Sequence, residues 1–126
     1  MKSEIITVFK KEEEIQEIID KFKDYSFDEI DKHSHFEFSI MEKLTDITKL
    51  KEIFPKFNLI RSIELRENEK KQKYYSLNYE LEDRTFIVIS IVLDREKPLI
   101  INGFHANRNY KEFEKSLRKY YSKRFI

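Results

Sequence analysis

The chain has no cysteine, no tryptophan, two prolines and a single glycine, Gly103, among its 126 residues. Without cysteine it can form neither a disulfide nor a thiolate nucleophile, and we expect a reducing location, the cytoplasm. One glycine excludes the glycine-rich phosphate loops of nucleotide-hydrolysing and dinucleotide-binding folds. No apolar run approaches the roughly 18 residues of a membrane span, and no apolar signal-peptide segment follows Met1, so we expect neither feature.

The charges are distributed unevenly along the chain. Residues 1–31 have five Lys against ten Asp and Glu, a net charge of −5, whereas residues 32–126 have twenty basic against fourteen acidic residues, a net +6. A polyanionic partner would therefore meet the C-terminal part, although a solvated helix face is the common alternative. We predict one domain, in which residues 1–31 form an acidic strand/helix extension of residues 32–126.

Helical spacing of apolar residues dominates the first half of the chain. It predicts an amphipathic helix over Lys10–Lys23, whereas Ser3–Phe9 is either a short strand or an apolar lead-in. Apolar residues of His33–Leu44 alternate as in a strand, but Ser34 and Glu37 form a capping box, so we predict a helix. A second helix, Ile47–Phe54, ends at a proline and would complete a helical hairpin.

From residue 57 the apolar period changes from helical to two, which is typical of strands. Short connections favour an antiparallel meander of four strands: Phe57–Arg66, Lys73–Leu81, Thr85–Leu93 and Pro98–Phe104. A basic helix over Asn109–Tyr121 would close the chain, with Asn109 as its cap. The predicted fold class is therefore α+β: N-terminal helices with a helical hairpin, a four-stranded antiparallel sheet and a C-terminal basic helix.

The candidate catalytic groups are histidines and arginines. Strand alternation places Arg61 within an apolar row, where an arginine must reach an edge, pair with an acid or line a cavity. Metal-free RNA cleavage uses the ribose 2′-hydroxyl as nucleophile and needs a base, a cation and an acid, all available from such side chains. The candidates, which need no metal or cofactor, are His33, His35, Arg61, His105 and Arg108.

Aromatic, amide and basic side chains supply the candidates for substrate binding. Aromatic faces beside Arg and Lys suit unpaired RNA, although core packing is the common role of tyrosines on a strand or on the apolar stripe of a helix. For His105, a capping or loop role is an equal alternative. The substrate-binding candidates are Tyr75, Asn107, Tyr110, Lys111 and Arg118.

A family resemblance combines these features. The passages HSHFEFSIMEKL and IINGFHANRNYKEFEKSLRKYY, the strand-borne Arg61 and the element order over residues 32–121 resemble the RelE/barnase-like superfamily of ribonuclease toxins. The resemblance implies a metal-independent endoribonuclease that acts on messenger RNA or another RNA. It also implies a cognate antitoxin protein that blocks the site.

Two other classes of function remain open from the residues alone. The chain could be a non-catalytic binding module for RNA or a protein, with salt-sensitive binding through the segment Lys111–Arg124. It could also be a small structural or regulatory domain, and a homodimer with tyrosines and phenylalanines at its interface would favour that alternative.

Overall fold

The computed structural model describes residues 3–34, 36 and 46–126. Two short 3₁₀ turns, Phe57–Leu59 and Ser122–Arg124, accompany the regular elements. In chain order the helices and strands are β1 (Ser3–Phe9), α1 (Glu12–Ile19), β2 (Asp31–Lys32), α2 (Ile47–Ile53), β3 (Ile60–Asn68), β4 (Lys73–Glu80), β5 (Phe86–Val92), β6 (Leu99–Ala106) and α3 (Tyr110–Tyr121). None of the helices in these ranges has the length and apolar character needed to cross a bilayer.

The sheet has six strands in the order β1-β3-β4-β5-β6-β2. All neighbouring pairs are antiparallel except β2 and β6, which are parallel, so the sheet is mixed. The α+β class is confirmed, but the predicted four-stranded antiparallel sheet is wrong. The four predicted strands form its contiguous centre, β3-β4-β5-β6, and one further strand is added at each side.

Of the two added strands, only β1 can be recognised from the sequence. Ser3–Phe9 has strand composition, and it pairs with β3 at the edge of the sheet, so it is not an apolar lead-in. Strand β2 is only two residues long, too short for any alternation, and lies in a polar stretch. The backbone N–H of His33, which follows β2, donates to the carbonyl of Ile100 on β6 (2.9 Å) and extends this pairing.

Helix α1 is much shorter than its apolar pattern predicts, whereas α2 and α3 differ from their predicted bounds by one residue. Helix α1 covers only Glu12–Ile19 of the predicted 14 positions and continues as turns. Helix α2 is the second arm of the predicted hairpin, and the carboxylate of Asp46 accepts its first N–H groups; most of the first arm, His33–Leu44, falls outside the described residues. The C-terminal helix α3 is short, with 12 residues, and Asn109 caps it by accepting from the N–H of Glu112 (3.2 Å).

A β-bulge changes the course of the first predicted strand. Residues Phe57–Leu59 form a 3₁₀ turn after Pro55, and Ile60 pairs with Tyr79 while Ser62 pairs with the next residue, Asn78. Arg61 is therefore the extra residue of the bulge, and strand alternation does not continue through it. The predicted apolar row that contained Arg61 is wrong for this reason.

The two faces of the sheet differ in chemistry. One face, here called the apolar face, packs under α1 and α2 as the main hydrophobic core, with sheet residues Ile63, Leu77, Tyr79, Ile87, Ile89, Ile91 and Ile100. The opposite face, here called the polar face, has the buried polar residues Ser62, Glu64, Ser76, Asn78 and Ser90. Helix α3 crosses the polar face from Phe86 and Val88 on β5 to Ile5 and Val8 on β1.

Gly103 lies where the apolar face contacts α2. A Cβ atom added to it would lie 2.9 Å from Cδ1 of Leu50 and 3.1 Å from Cε2 of Phe36. The only glycine therefore permits close packing of a helix against β6.

Tyr79 connects β4 to the end of α2 through a hydrogen bond of its hydroxyl group. Removing that hydroxyl tests the contribution of the bond. Its fully buried hydroxyl donates to the carbonyl of Phe54 (2.8 Å), and burial raises its pKa. We expect Tyr79→Phe to lower the free energy of unfolding by about 1–2 kcal/mol, because the carbonyl is left without a partner. Urea denaturation measures this, with Tyr120→Phe, exposed to 71 %, as the matched control. Equal effects of the two substitutions would contradict the role of the hydrogen bond.

Candidate functional site

A row of four polar side chains crosses the polar face in register. Glu64 pairs with Ser76, Ser76 with Ser90, and Ser90 with Asn102, each directly opposite the next on β3, β4, β5 and β6. At about 4.8 Å per strand, the row spans roughly 14 Å. The hydroxyls of Ser76 and Ser90 are 3.1 Å apart and hydrogen-bonded. We call these four residues the polar row.

The polar row forms part of the floor of a cleft of about 720 Å³. Helix α3 bounds the cleft with Phe113, and the β3–β4 turn bounds it with residues such as Lys70 and Gln72. Aromatic side chains stand beside the polar floor, as in many ligand sites. The cleft is also lined by Ser3, His33, Glu64, Arg66, Asn68, Glu69, Tyr74, Ser76, Asn78, Phe86, Val88, Ser90, Ile101, Asn102, Phe104, Ala106 and Arg108.

Glu64 is the centre of a hydrogen-bond network at one end of the polar row. It is 1 % exposed, and its Oε1 accepts from Nε (2.8 Å) and Nη2 (2.5 Å) of Arg66. Its Oε2 accepts from Nδ2 of Asn78 (2.8 Å), which also donates to Oγ of Ser62 (3.0 Å). These hydrogen bonds offset the cost of removing the carboxyl group of Glu64 from water.

The same network reaches α3 through Tyr110. The hydroxyl of Tyr110 lies 2.7 Å from Oγ of Ser62 and 3.3 Å from a carboxylate oxygen of Glu114. Burial raises the pKa of this hydroxyl, and the nearby carboxylates act in the same direction. Lys10, which follows β1, forms an ion pair with Glu114. The first turns of α3 are thus held over one end of the polar face.

Asn78 has one buried atom without a partner. Its Nδ2 donates two hydrogen bonds, but its Oδ1 has no hydrogen-bond partner in the described part of the chain. An unpaired buried acceptor lowers stability by about 1–3 kcal/mol. The oxygen of Asn78 therefore belongs to the minority of buried polar atoms that have no hydrogen bond within the fold.

The sequence contains a pattern that indicates the polar face of the sheet, but the pattern is visible only when neighbouring strands are compared. On β4, Tyr74, Ser76 and Asn78 occupy every second position, and Ser90 interrupts the apolar β5. Taken strand by strand, β5 is almost wholly apolar, and the side of β3 that includes Glu64 has the composition of a solvated face. Matching the polar positions of neighbouring strands would have revealed the polar row, since antiparallel register brings them opposite each other.

Two of the predicted catalytic residues line the cleft, and two lie away from it. His33, beside β2, and Arg108, after β6, are on the cleft, where the guanidinium of Arg108 lies 5.5 Å from the ring centre of Phe113. His105 and Arg61 are not among its lining residues. His35 falls outside the described residues.

His105 belongs to a small exposed chain of hydrogen bonds. Thr85 donates its hydroxyl to Oδ1 of Asp83 (2.6 Å), and Nε2 of His105 lies 2.7 Å from the same hydroxyl oxygen. Hydrogen bonds from Thr85 hold the pKa of Asp83 below its usual value, so the carboxylate of Asp83 is the acceptor of the hydrogen bond from the hydroxyl. Nε2 of His105 then donates to the hydroxyl oxygen of Thr85.

Arg61 is paired with an acid at the same end of the sheet. Its Nε donates to Oε1 of the buried Glu80 (3.0 Å), and its Nη1 donates to the carbonyl of Asn58 (2.8 Å). Arg61 and His105 belong to β3 and β6, three strand spacings or roughly 14 Å apart. His33 is bonded at Ile100, five residues before His105 along β6, or roughly 16 Å away. The structure therefore does not bring these three side chains together.

The predicted substrate-binding residues are dispersed. Tyr75 is on the apolar face, where its ring packs 6.4 Å from that of Phe9. Tyr110 is buried in the network described above, and Arg118 stacks on Phe125 at 4.5 Å. Asn107 and Lys111 are exposed. Within the described ranges, no three His, Asp or Glu side chains are placed to hold a metal ion.

A double-mutant cycle tests the hydrogen bond in the middle of the polar row. We expect Ser76→Ala and Ser90→Ala each to lower the free energy of unfolding, and the double variant to lower it by less than their sum. The expected coupling is about 1 kcal/mol, because each single change leaves one buried hydroxyl without its partner. Urea denaturation of the four proteins measures it, and additive effects would contradict the bond.

The comparisons with known proteins assign no family to this fold and cleft: no family model, no curated protein and no solved structure matches the chain.

Proposed function

We propose that the chain is a binding domain for a small polar molecule, which it holds in the cleft on the polar face of the sheet. The observation that supports this most directly is the polar row, Glu64, Ser76, Ser90 and Asn102, in register beneath the cleft. The volume of about 720 Å³ is within the range of small-molecule sites.

The energetics of the polar row favour a role in binding over a role in stability. An apolar side chain at Ser76 or Ser90 would extend the neighbouring core formed by Phe86, Val88 and Tyr110. A hydroxyl at the same place contributes little net stability after desolvation. It does, however, offer a donor and an acceptor to a molecule that occupies the cleft.

The cleft is also placed on a rigid support. The main hydrophobic core lies directly behind its floor, on the apolar face of the same strands. Helix α1, whose first turn is acidic, packs on the apolar face and does not lie over the cleft. Groups held by a packed sheet need little reordering when a ligand binds, which favours affinity.

A substitution in the floor tests the proposal. A library of sugars, sugar phosphates, nucleosides and amino acids is screened by chemical-shift changes of the ¹⁵N-labelled protein. We expect to find ligands that change the chemical shifts of the backbone amides of Ser76, Ser90 and Asn102. Ser90→Val should weaken their binding at least about tenfold, because it removes one hydroxyl and fills part of the floor.

The control for this experiment is Ser122→Val, at an exposed position outside the cleft. Valine is favoured in strands, so the Ser90→Val protein should remain folded, and its spectrum checks this. The proposal would be contradicted by ligands that change the amide signals only of residues outside the cleft. Ligands that bind the Ser90→Val protein as tightly as the unaltered protein would also contradict it.

Metal-independent cleavage of RNA, as in RelE/barnase-like toxins, is the second candidate function. The observation that favours it is the presence of His33 and Arg108 on one polar cleft, together with Arg66. An RNA substrate and a cognate antitoxin stay predictions that accompany this candidate. The cytoplasmic location and the homodimer stay predictions as well.

The structure changes which histidine is expected to matter for this second candidate. We expect incubation with single-stranded RNA in EDTA to give cleavage that His33→Ala reduces about 100-fold or more, the usual size of an acid–base contribution. His105→Ala is the matched control, since that histidine lies outside the cleft. Gel analysis of the RNA measures the rates. A loss in His105→Ala and none in His33→Ala would place the activity away from the cleft.

A further inference from the structure

Arg66 is the most firmly positioned cation on the cleft. Two of its nitrogens, Nε and Nη2, donate to Oε1 of Glu64 at 2.8 and 2.5 Å. The third, Nη1, donates to Oγ of Ser3 at 3.0 Å. Glu64 is itself fixed by Asn78, so the guanidinium is anchored to the floor of the sheet.

The anchored guanidinium retains unused hydrogen-bond donors. A guanidinium has five N–H groups, and three of those of Arg66 are engaged by Glu64 and Ser3. One N–H on Nη1 and one on Nη2 thus have no partner among the described residues. These two donors form a fork that matches the two oxygens of a carboxylate or phosphate when Ser3 accepts the Nη1 hydrogen that points away from Nη2.

The other charges on the cleft favour an anion there. Because Glu64 is engaged by Arg66, the remaining charged lining residues are Glu69, Lys70 and Arg108, together with the titratable His33. Glu69 and Lys70 are both exposed at the turn. Apart from the Glu64–Arg66 pair, basic groups therefore outnumber acidic ones around the opening.

The floor adds groups that recognise hydroxyls. Ser76, Ser90 and the amide of Asn102 follow Glu64 across the sheet, and Tyr74 is opposite Arg66 in the register. The hydroxyl of Tyr74 has no hydrogen-bond partner in the described part of the chain. Neutral donors and acceptors of this kind match the hydroxyls of a sugar-sized molecule.

We propose that the ligand of the cleft is a small hydroxylated acid, and that Arg66 binds its carboxylate or phosphate group. The proposal rests on the proposed binding function and adds the chemical class of the ligand. The hydroxyls of the ligand contact Ser76, Ser90 and Asn102. Glu64 does not contact the ligand; it holds Arg66 in the orientation that binds the anion.

The test compares acids with neutral molecules of the same kind by calorimetry. The probes are D-ribose 5-phosphate against D-ribose, and D-glucuronate against D-glucose. In at least one pair, we expect the acid to bind at least about tenfold more tightly, because two charge-assisted hydrogen bonds form. The pair that shows this preference distinguishes phosphate from carboxylate. The Nε–H signal of Arg66 should shift with the acid and not with its neutral partner.

Substitutions of Arg66 complete the test. Arg66→Lys keeps the positive charge and loses the fork, so it should reduce the affinity for the acid at least about tenfold and leave that for the neutral partner unchanged. Arg66→Gln alone would leave Glu64 buried and unpaired, and the protein could unfold. The double variant Glu64→Gln with Arg66→Gln removes both charges and should abolish the preference for the acid. The controls are Arg124→Lys and Arg124→Gln, at an exposed arginine outside the cleft.

Each outcome is decisive. Equal affinities within both pairs, or an unchanged affinity of Arg66→Lys for the acid, overturns the assignment of Arg66 while the cleft remains a binding site. If none of the four probes binds and the cleft ligands from the wider library include no sugar phosphate, the hydroxylated acid is overturned and the proposed function stands. A sugar phosphate found among them is compared with its neutral sugar, and equal affinities overturn the assignment of Arg66. If the library yields no cleft ligand either, both proposals fail.

Discussion

The hydrophobic contact between the isoleucine-rich side of the central strands and the helices α1 and α2 is the interaction on which the rest of the structure depends. Strand β5 shows this most directly, since Ile87, Ile89 and Ile91 are all fully buried on that side. Successive side chains of a strand point to opposite faces. Burial of the isoleucines therefore determines the register that places Ser90 and its neighbours on the other face, where polar groups remain available.

The ion pair within the polar face depends on that same packing. Removing a carboxylate and a guanidinium from water costs several kcal/mol, and their attraction compensates for this only with good geometry and further hydrogen bonds. Glu64 and Arg66 have both, because strand register brings Asn78 and Ser3 to them. The sheet thus holds charged groups in an arrangement that isolated loops would not maintain.

Much of the secondary structure could be predicted from the sequence, because the apolar period is strong in the relevant segments. Strands β4, β5 and β6, helix α2 and the cap Asn109 agree with the predictions to within a residue or two. Strand β2 and the bulge at Arg61 could not be predicted, since neither has a local pattern: one is two residues of pairing with a distant strand, and the other is a slip in register. The cleft was missed for a related reason, because its residues become neighbours only through the pairing of four strands.

The edge strand β1 has a consequence for how the chain acquires its structure. It pairs with β3, which lies more than fifty residues later, and Val8 also forms a parallel bridge with Phe125. Contacts between such distant positions require large loops to close, and they slow folding. The first strand therefore waits until β3 has been made: during synthesis at about 5–20 residues per second, it stays unpaired for several seconds, and its bridge to Phe125 forms only after that residue has emerged.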